Sequence, residues 1–205
     1  MLKVLGRITS INVRKVLWAL DELGLEYTRE DWGLPIRDPK VPEFLALNPN
    51  GQVPVLIEND FVLWESNAIL LFLAERESIL IPDHLESRAR CLQWLFWQAT
   101  ELNGPWGYAV NALIRKTPGY DDPDRIAESM RAWTAKMDIL EAHLSGGAGF
   151  VAGGEFTIAD IVVALSVHRW LRMPVEKKAL PAVEAYYEVL KNRPAGARWM
   201  AIETP

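Results

Sequence analysis

The chain has 205 residues, of which 50% are hydrophobic and 24% charged, and its formal net charge is −5. This composition is ordinary for a globular protein, and the length allows one or two domains with a sizeable core. The acidic balance argues against nucleic acid as a partner, because nucleic-acid binders present a basic face.

Residues 1–6 lack the charged-then-apolar layout of a signal peptide, and no apolar run reaches membrane-spanning length. The single cysteine, Cys91, cannot form an internal disulfide. Neither it nor the histidines have the spacing of metal ligands. We therefore expect a cytoplasmic protein that uses no metal and contacts neither membrane nor nucleic acid.

The first third of the chain alternates strand and helix signals. Strands are predicted over 2–5, 26–31, 55–57 and 61–64, and helices over 13–23, 43–46 and 66–77. Gly24 is well placed to end the first helix. The predicted order is therefore βαβαββα, with the third strand opened by Pro54.

Strand signals disappear after a linker predicted over 78–86. Helices are expected over 88–104, 124–144, 157–172 and 181–192, the first of them stopped by Gly104-Pro105. Thr157 and Asp160 resemble a capping box, so we assign them a structural role in starting the third of these helices. The predicted domains are 1–77, α/β, and 87–205, all-helical.

The stretch Gln52-Val53-Pro54 lies just before the third strand. Proline belongs at the start of a strand, and it is the residue for which a cis peptide bond is cheap. A cis Val53–Pro54 bond would turn the polar backbone groups of Val53 out of the sheet. Such an edge can pair with an extended peptide.

Glu65-Ser66 lies where the fourth predicted strand ends and the next predicted helix begins. Free N–H groups and the helix dipole at a helix start favour an anion, and Glu65 can hold an ammonium group. Together with the Pro54 edge, these residues predict a receptacle for a small zwitterionic peptide.

These motifs resemble the glutathione site of the cytosolic glutathione S-transferase family, in its serine-type, theta-like or bacterial form. The segment 10–17, which begins Ser10-Ile11-Asn12, and the late Thr157-Ile158-Ala159-Asp160 also fit that family, in the same order. The resemblance implies a thioredoxin-like N-terminal domain that binds glutathione and an all-α C-terminal domain that carries an electrophile site. It also implies a homodimer with a role in detoxification.

The resemblance carries functional roles to particular residues. Ser10 is the candidate donor to the glutathione sulfur, with Thr9 and Asn12 as rivals. Glu65 and Ser66 would bind the γ-glutamyl end, Val53 and Pro54 the cysteinyl backbone, with Gln52 nearby, and Lys40 the glycine carboxylate. The 6–10 loop contains neither a tyrosine nor a cysteine, which disfavours the tyrosine classes and a mixed-disulfide mechanism.

The second substrate is expected over the first long helix, between the domains, where aromatic walls favour a flat apolar electrophile. The candidate wall residues are Asn103, Trp106, Tyr108 and Leu113. The predicted function is a glutathione transferase. A glutathione-dependent peroxidase, isomerase or dehalogenase on the same fold remains an alternative, as does a non-catalytic binding protein.

Overall fold

The computed structural model describes residues 1–147 and 149–203. The chain divides into two compact units. The α/β unit contains residues 1–81 and the C-terminal segment that begins at Pro194, and the helical unit contains residues 82–193. No helix of the described part of the chain is both long enough and apolar enough to cross a membrane.

The α/β unit is built on a four-stranded mixed sheet. Its strands are β1 (Leu2–Leu5), β2 (Tyr27–Glu30), β3 (Val55–Glu58) and β4 (Phe61–Trp64), in the spatial order β2-β1-β3-β4. β1 and β2 are parallel, whereas β3 is antiparallel to both β1 and β4. The helices between them are α1 (Ile11–Glu22), α2 (Pro42–Leu45) and α3 (Ser66–Glu77). The predicted βαβαββα order and thioredoxin-like fold are confirmed.

The strand register places three chain segments at one edge of the sheet. Leu5, the last residue of β1, lies opposite Val55, the first residue of β3, and Val55 in turn lies opposite Trp64, the last residue of β4. The loop that leads into α1, the Val53–Pro54 bond and the start of α3 therefore meet there. Residues as far apart in sequence as Leu5 and Trp64 are brought to one location.

Apolar side chains cover both faces of this sheet. On one face α1 packs against α3. The fully buried residues of these two helices include Val13, Leu17, Leu20, Ile69, Leu70 and Leu73. A second buried cluster joins Leu5 and Val55 to Trp32 and Phe44, whose rings lie 4.7 Å apart. Burial at both faces holds the strand ends, and so the edge between them, in a fixed position.

The helical unit contains α4 (Leu85–Trp97), α5 (Asn103–Val110), α6 (Pro123–Leu144), α7 (Ile158–Leu171) and α8 (Pro181–Lys191). Two π-helical turns, Gln98–Leu102 and Asn111–Arg115, flank α5. The predicted role of Thr157 and Asp160 is confirmed, because Thr157 is the N-cap of α7 and its backbone N–H donates to Asp160 at 2.8 Å. A further helix, α9 (Pro194–Met200), packs on α1 in the α/β unit.

The expected helix stop at Gly104-Pro105 is wrong, because both residues lie inside α5. Pro105 is the third residue of α5, where the missing N–H costs little. The preceding π-helical turn has already interrupted the α-helical ladder. The Pro105 carbonyl accepts a hydrogen bond from the Ser129 hydroxyl, which accepts one from the Ala109 N–H. Ser129 of α6 thus bridges a ladder position of α5.

Candidate functional site

A cavity of about 250 Å³ opens at the sheet edge where the three segments meet. Polar and apolar groups both line it, and they come from the start of α1, the loop before β3 and the β4–α3 junction: Asn12, Asn48, Asn50, Gln52, Val53, Pro54, Trp64, Glu65 and Ser66. Five residues of the predicted glutathione set therefore lie around one cavity. The lining set also includes Asn48, Asn50 and Trp64, which the sequence analysis did not assign.

The loop before β3 is held in shape by Asn48. This side chain is 3% exposed, and its amide donates to the Gln52 carbonyl at 2.7 Å while its oxygen accepts from the Asn50 N–H at 3.0 Å. The Val53–Pro54 peptide bond is cis, as predicted, and Pro54 is buried directly before β3. Asn48 begins the turn cluster Asn48-Pro49-Asn50-Gly51, which was the available signal for its role.

The β4–α3 junction places an acid and a helix start on the cavity wall. Glu65 is the N-cap of α3, and its Oε2 accepts from the Ala68 N–H at 2.8 Å, which leaves Oε1 without a partner among the described residues. Ser66 is 4% exposed and lines the cavity as the first helical residue. Because α3 has 12 residues, its N-terminal amides offer a partial positive charge there.

A buried lysine lies behind this junction. Lys15 is 1% exposed, and its ammonium group donates to the Asn67 side chain at 3.4 Å. Asn67 follows Ser66 directly, so this hydrogen bond ties α1 to the start of α3. The sequence analysis did not assign Lys15, because it falls among the apolar residues of α1 and has no motif of its own.

The three candidate sulfur donors differ in their surroundings. Thr9 accepts a hydrogen bond from the Arg7 guanidinium group. Ser10 is the N-cap of α1, and its hydroxyl makes no capping hydrogen bond. Asn12, one turn further on, is the member of the three that lines the cavity. Among residues 1–147 and 149–203 the Ser10 hydroxyl therefore has no hydrogen-bond partner, and Asn12 faces the cavity.

Lys40 is exposed and does not line the cavity itself, but it contacts Asn50, which does. Its ammonium group donates to the Asn50 carbonyl at 2.7 Å, and its stem covers Gly51. Gly51 has φ +58°, and a Cβ there would lie 2.6 Å from the Lys40 Cδ. Lys40 therefore contacts the loop that shapes the cavity.

The candidate electrophile residues lie in and after α5 of the helical unit. Trp106 is 6% exposed and its ring packs against that of Trp133 at 5.3 Å. Tyr108 lies beside Tyr120, with the Arg125 guanidinium group 4.2 Å from the centre of its ring. Asn103 and Leu113 are half-buried, and Leu113 belongs to the second π-helical turn.

The single cysteine of the chain, Cys91, lies in α4 of the helical unit. Burial raises the pKa of the Cys91 thiol, and this side chain is fully buried. A thiol with a raised pKa is a poor nucleophile. Among residues 1–147 and 149–203, no three His, Cys, Asp or Glu side chains are grouped so that they could hold a metal ion.

Comparisons with known proteins agree with this architecture. Residues 1–75 match the model of the glutathione S-transferase N-terminal domain, and residues 123–189 match that of the C-terminal domain. The chain is 33% identical over 199 residues to glutathione S-transferase GstB of Escherichia coli, covering 95% of each chain. It is 30% identical over 193 residues to disulfide-bond oxidoreductase YfcG of the same species, covering 90% of this chain and 87% of that protein.

A solved structure of the theta class glutathione S-transferase from Xanthomonas axonopodis pv. citri, with glutathione bound, superposes with a TM-score of 0.93. It is 33% identical, and the match covers 100% of this chain and 99% of that one. The α/β unit is thus thioredoxin-like, and its cavity lies at the sheet edge that carries the cis Val53–Pro54 bond. With both halves matched, the chain belongs to the glutathione S-transferase family.

Proposed function

We propose that this protein binds glutathione in the cavity at the sheet edge and activates its thiol for attack on an apolar electrophile. The observation that carries the proposal is the register of Leu5, Val55 and Trp64, because it gathers the peptide edge, the helix start of α3 and the start of α1 around one cavity. A tripeptide with two charged ends and a central thiol needs these three features together.

The γ-glutamyl end of glutathione fits the β4–α3 junction. Its carboxylate would accept hydrogen bonds from the Ser66 N–H and hydroxyl, where the α3 dipole favours an anion. Its ammonium group would bind the Oε1 atom of Glu65, which is free while Oε2 caps α3. One carboxylate would thereby serve both the helix and the ligand.

The rest of the tripeptide would run along the loop before β3. The backbone of Val53, beside Pro54, would pair with the cysteinyl residue in the manner of an added strand. The exposed Gln52 side chain offers a polar contact nearby. The Lys40 ammonium group, which is held at the Asn50 carbonyl, would attract the glycine carboxylate.

Activation of the thiol requires only hydrogen bonds at the start of α1. A free thiol has a pKa of about 8.5, and lowering that pKa by two units needs roughly 2.7 kcal/mol of preference for the anion. One hydrogen bond to a charged acceptor contributes about 1.5–3 kcal/mol. We assign this role to the Ser10 hydroxyl, with the cavity-lining Asn12 amide as a second donor. The thiol proton leaves to solvent, the sulfur attacks the electrophilic atom, and the leaving group departs with the bonding electrons.

The domain division follows the same assignment. Residues 1–77 would form the glutathione-binding domain, 78–86 the linker, and 87–205 the domain that supplies the electrophile site through Asn103, Trp106, Tyr108 and Leu113. Trp106 would act mainly through packing, since it is 6% exposed. We also propose a cytoplasmic homodimer, as the family implies; light scattering and cell fractionation would test these two points.

Calorimetry and a substrate panel test the function. Wild-type protein should bind glutathione, and it should conjugate an aromatic halide faster than it reduces a hydroperoxide or a mixed disulfide. The disulfide belongs in the panel because YfcG is named for disulfide-bond oxidoreduction. Absence of glutathione binding would remove the proposed site. Turnover confined to the disulfide or the hydroperoxide would keep the site but replace the transferase reaction.

A further inference from the structure

The loop between α7 and α8 of the helical unit is closed by one lysine side chain. Lys177 is half-buried, and its Nζ donates to the Met173 carbonyl at 2.7 Å and to the Val175 carbonyl at 2.9 Å. Both acceptors precede Lys177 in the same loop, so the side chain folds back on its own backbone. These two hydrogen bonds hold the loop and fix the position of the amine.

Lys177 lines two cavities of the helical unit. The first has a volume of about 480 Å³, and its apolar lining comes from α6 and the loop: Ala127, Met130, Ala135 and Val175. The second has a volume of about 260 Å³, and its apolar lining comes from the end of α7 and the start of α8: Trp170, Leu171, Leu180 and Val183. Apolar walls beside one polar group favour a small ligand with an apolar body and a polar reacting end.

The hydrogen-bond partners of Lys177 differ from those of most other lysines in the chain. Four of these lysines pair with a carboxylate: Lys3, Lys136, Lys178 and Lys191. In the described part of the chain, no carboxylate pairs with the Lys177 ammonium group, and its partners are two neutral carbonyls. A carboxylate would stabilise the charged form of the amine, and Lys177 lacks that stabilisation.

The remaining charged side chains around the two cavities have partners of their own or face solvent. Asp138 accepts from Lys178 at 2.8 Å, and Glu184 accepts from the Leu180 N–H at 3.5 Å. Two more are exposed, so that solvent screens their charges: Arg131 and Glu176. Burial lowers the pKa of Lys177 in these surroundings.

The neutral amine fits the same contacts as the ammonium group. An ammonium group has three hydrogens to donate, and Lys177 uses two of them on the Met173 and Val175 carbonyls. Loss of one proton leaves two hydrogens for the same two carbonyls, and it creates a lone pair that takes part in neither bond. A desolvated lysine of this kind is a nucleophile that forms imines with carbonyl compounds.

We propose that Lys177 is a covalent modification site for small aldehydes with an apolar body. The amine nitrogen attacks the carbonyl carbon, and one nitrogen proton passes to the carbonyl oxygen. The second nitrogen proton leaves with that hydroxyl group as water, and a C=N bond remains. The step needs no oxidant or reductant, and it does not depend on the proposed glutathione site.

Modification would also change the loop. An imine nitrogen carries no hydrogen, or one when it is protonated, whereas the unmodified amine donates to both the Met173 and the Val175 carbonyl. At least one of these two hydrogen bonds therefore breaks when the imine forms. The loop between α7 and α8 would become easier to open while the aldehyde is bound.

Reductive trapping with benzaldehyde and cyanoborohydride tests the site in the full-length protein, and fragmentation mass spectrometry locates the label. Lys178 is the internal control, because it lines the same two cavities but is exposed and paired with Asp138. At neutral pH we expect Lys177 to be labelled at least about fivefold faster than Lys178, since its amine is desolvated and has no carboxylate partner. Equal labelling of the two lysines, or faster labelling of Lys178, would overturn the proposal.

Lys177→Arg and a second aldehyde separate the amine from its surroundings. Arginine keeps donors for the two carbonyls but has no amine, so the fast label should vanish while Lys178 is labelled at its wild-type rate; fast labelling that persisted would overturn the proposal. Glyoxylate replaces the apolar body by a carboxylate, so the preference for Lys177 over Lys178 should fall at least about twofold. An unchanged preference would rule out an apolar aldehyde as the ligand.

Hydrogen exchange tests the release of the loop. With benzaldehyde present and no reductant, the backbone amides of residues 172–180 should exchange faster in the wild type but not in Lys177→Arg. Unchanged exchange in wild-type protein that still labels at Lys177 would refute the release of the loop.

Discussion

The indole N–H of Trp199 donates to the Asp21 carboxylate at 2.8 Å, which ties the C-terminal helix α9 to α1. The same carboxylate accepts from Arg198 at 3.1 Å and from the Tyr27 hydroxyl at 3.2 Å. The backbone carbonyl of Trp199 also lies 3.4 Å from the buried Arg14 guanidinium group. The last residues of the chain therefore anchor α1 in its first turn, through Arg14, and in its last turn, through Asp21.

Trp199→Phe should lower the free energy of unfolding by about 1.5–3 kcal/mol, because it removes a hydrogen bond to a mostly buried carboxylate. Urea unfolding measures the change. Arg198→Ala is the comparison, since the Arg198 side chain is 62% exposed and its ion pair with Asp21 should contribute less than about 1 kcal/mol. An Arg198 variant as destabilised as the Trp199 variant would contradict this ranking.

Tyr27 should make stability depend on alkaline pH. Burial, and then the neighbouring Asp21 carboxylate, raises the pKa of Tyr27 from 10.0 to about 12. The unfolded chain loses this proton first, so the stabilisation is fully present below pH about 10 and is lost as pH rises through about 12. Tyr27→Phe should remove this component. Unfolding curves at pH 9 and pH 11 should therefore differ more for wild type than for the variant.

If the two proteins lost stability equally between those pH values, the raised pKa of Tyr27 would be ruled out. A direct check is the tyrosinate absorbance of the folded protein. Wild type should show one more late-titrating phenol than Tyr27→Phe.

Glu65→Gln and Glu65→Ala separate the two tasks of this side chain. Glutamine can still accept from the Ala68 N–H, so its effect on unfolding should be small, whereas alanine should cost about 1 kcal/mol for the lost cap. Both should weaken glutathione binding more than about tenfold, because both remove the charge that holds the ammonium group. Calorimetry that found wild-type affinity in the glutamine variant would exclude Glu65 from the ligand site.

Ser10→Ala and Asn12→Ala test the activation of the thiol. Each should raise the pKa of bound glutathione by about one unit, and the double variant should raise it further, because each removes one donor to the sulfur. Thiolate absorbance against pH gives these values. No change in either variant would refute both assignments. A rise in Thr9→Val alone would move the role to Thr9 and leave the mechanism intact.

Gly51→Ala should destabilise the cavity loop more than Gly24→Ala destabilises the end of α1. Both glycines have φ near +60°, so both substitutions carry a similar backbone cost of about 1–2 kcal/mol. At Gly51 the new Cβ would also lie 2.9 Å from the Pro39 carbonyl oxygen, whereas at Gly24 nothing lies within 4 Å. Glutathione affinity should fall in Gly51→Ala and hold in Gly24→Ala. Equal unfolding energies for the two variants would show that the close contact is relieved without cost.

The amino-acid sequence by itself determined the local elements. Periodic apolar residues predicted α3 over Ser66–Glu77, and the structure has the same bounds. Gly24 follows the end of α1 with φ +65°, and Thr157 caps α7. These features depend on residues within one or two turns of each other, so a short stretch of sequence is enough to predict them.

The tertiary structure alone decided which of these pieces meet. The register of Leu5, Val55 and Trp64 creates the cavity, and no local pattern states how far one strand slides past another. The sequence analysis predicted no helix after residue 192, yet α9 begins at Pro194, and its Trp199 binds Asp21 of α1, 178 residues earlier in the chain. The sequence predicted a helix end at Gly104-Pro105, but α5 continues through both residues. A π-helical turn precedes them, and the Ser129 hydroxyl from α6 bonds to the Pro105 carbonyl and the Ala109 N–H. The strand register, the position of α9 and the continuation of α5 all depend on hydrogen bonds between residues that are distant in sequence, so no short stretch of sequence predicts them.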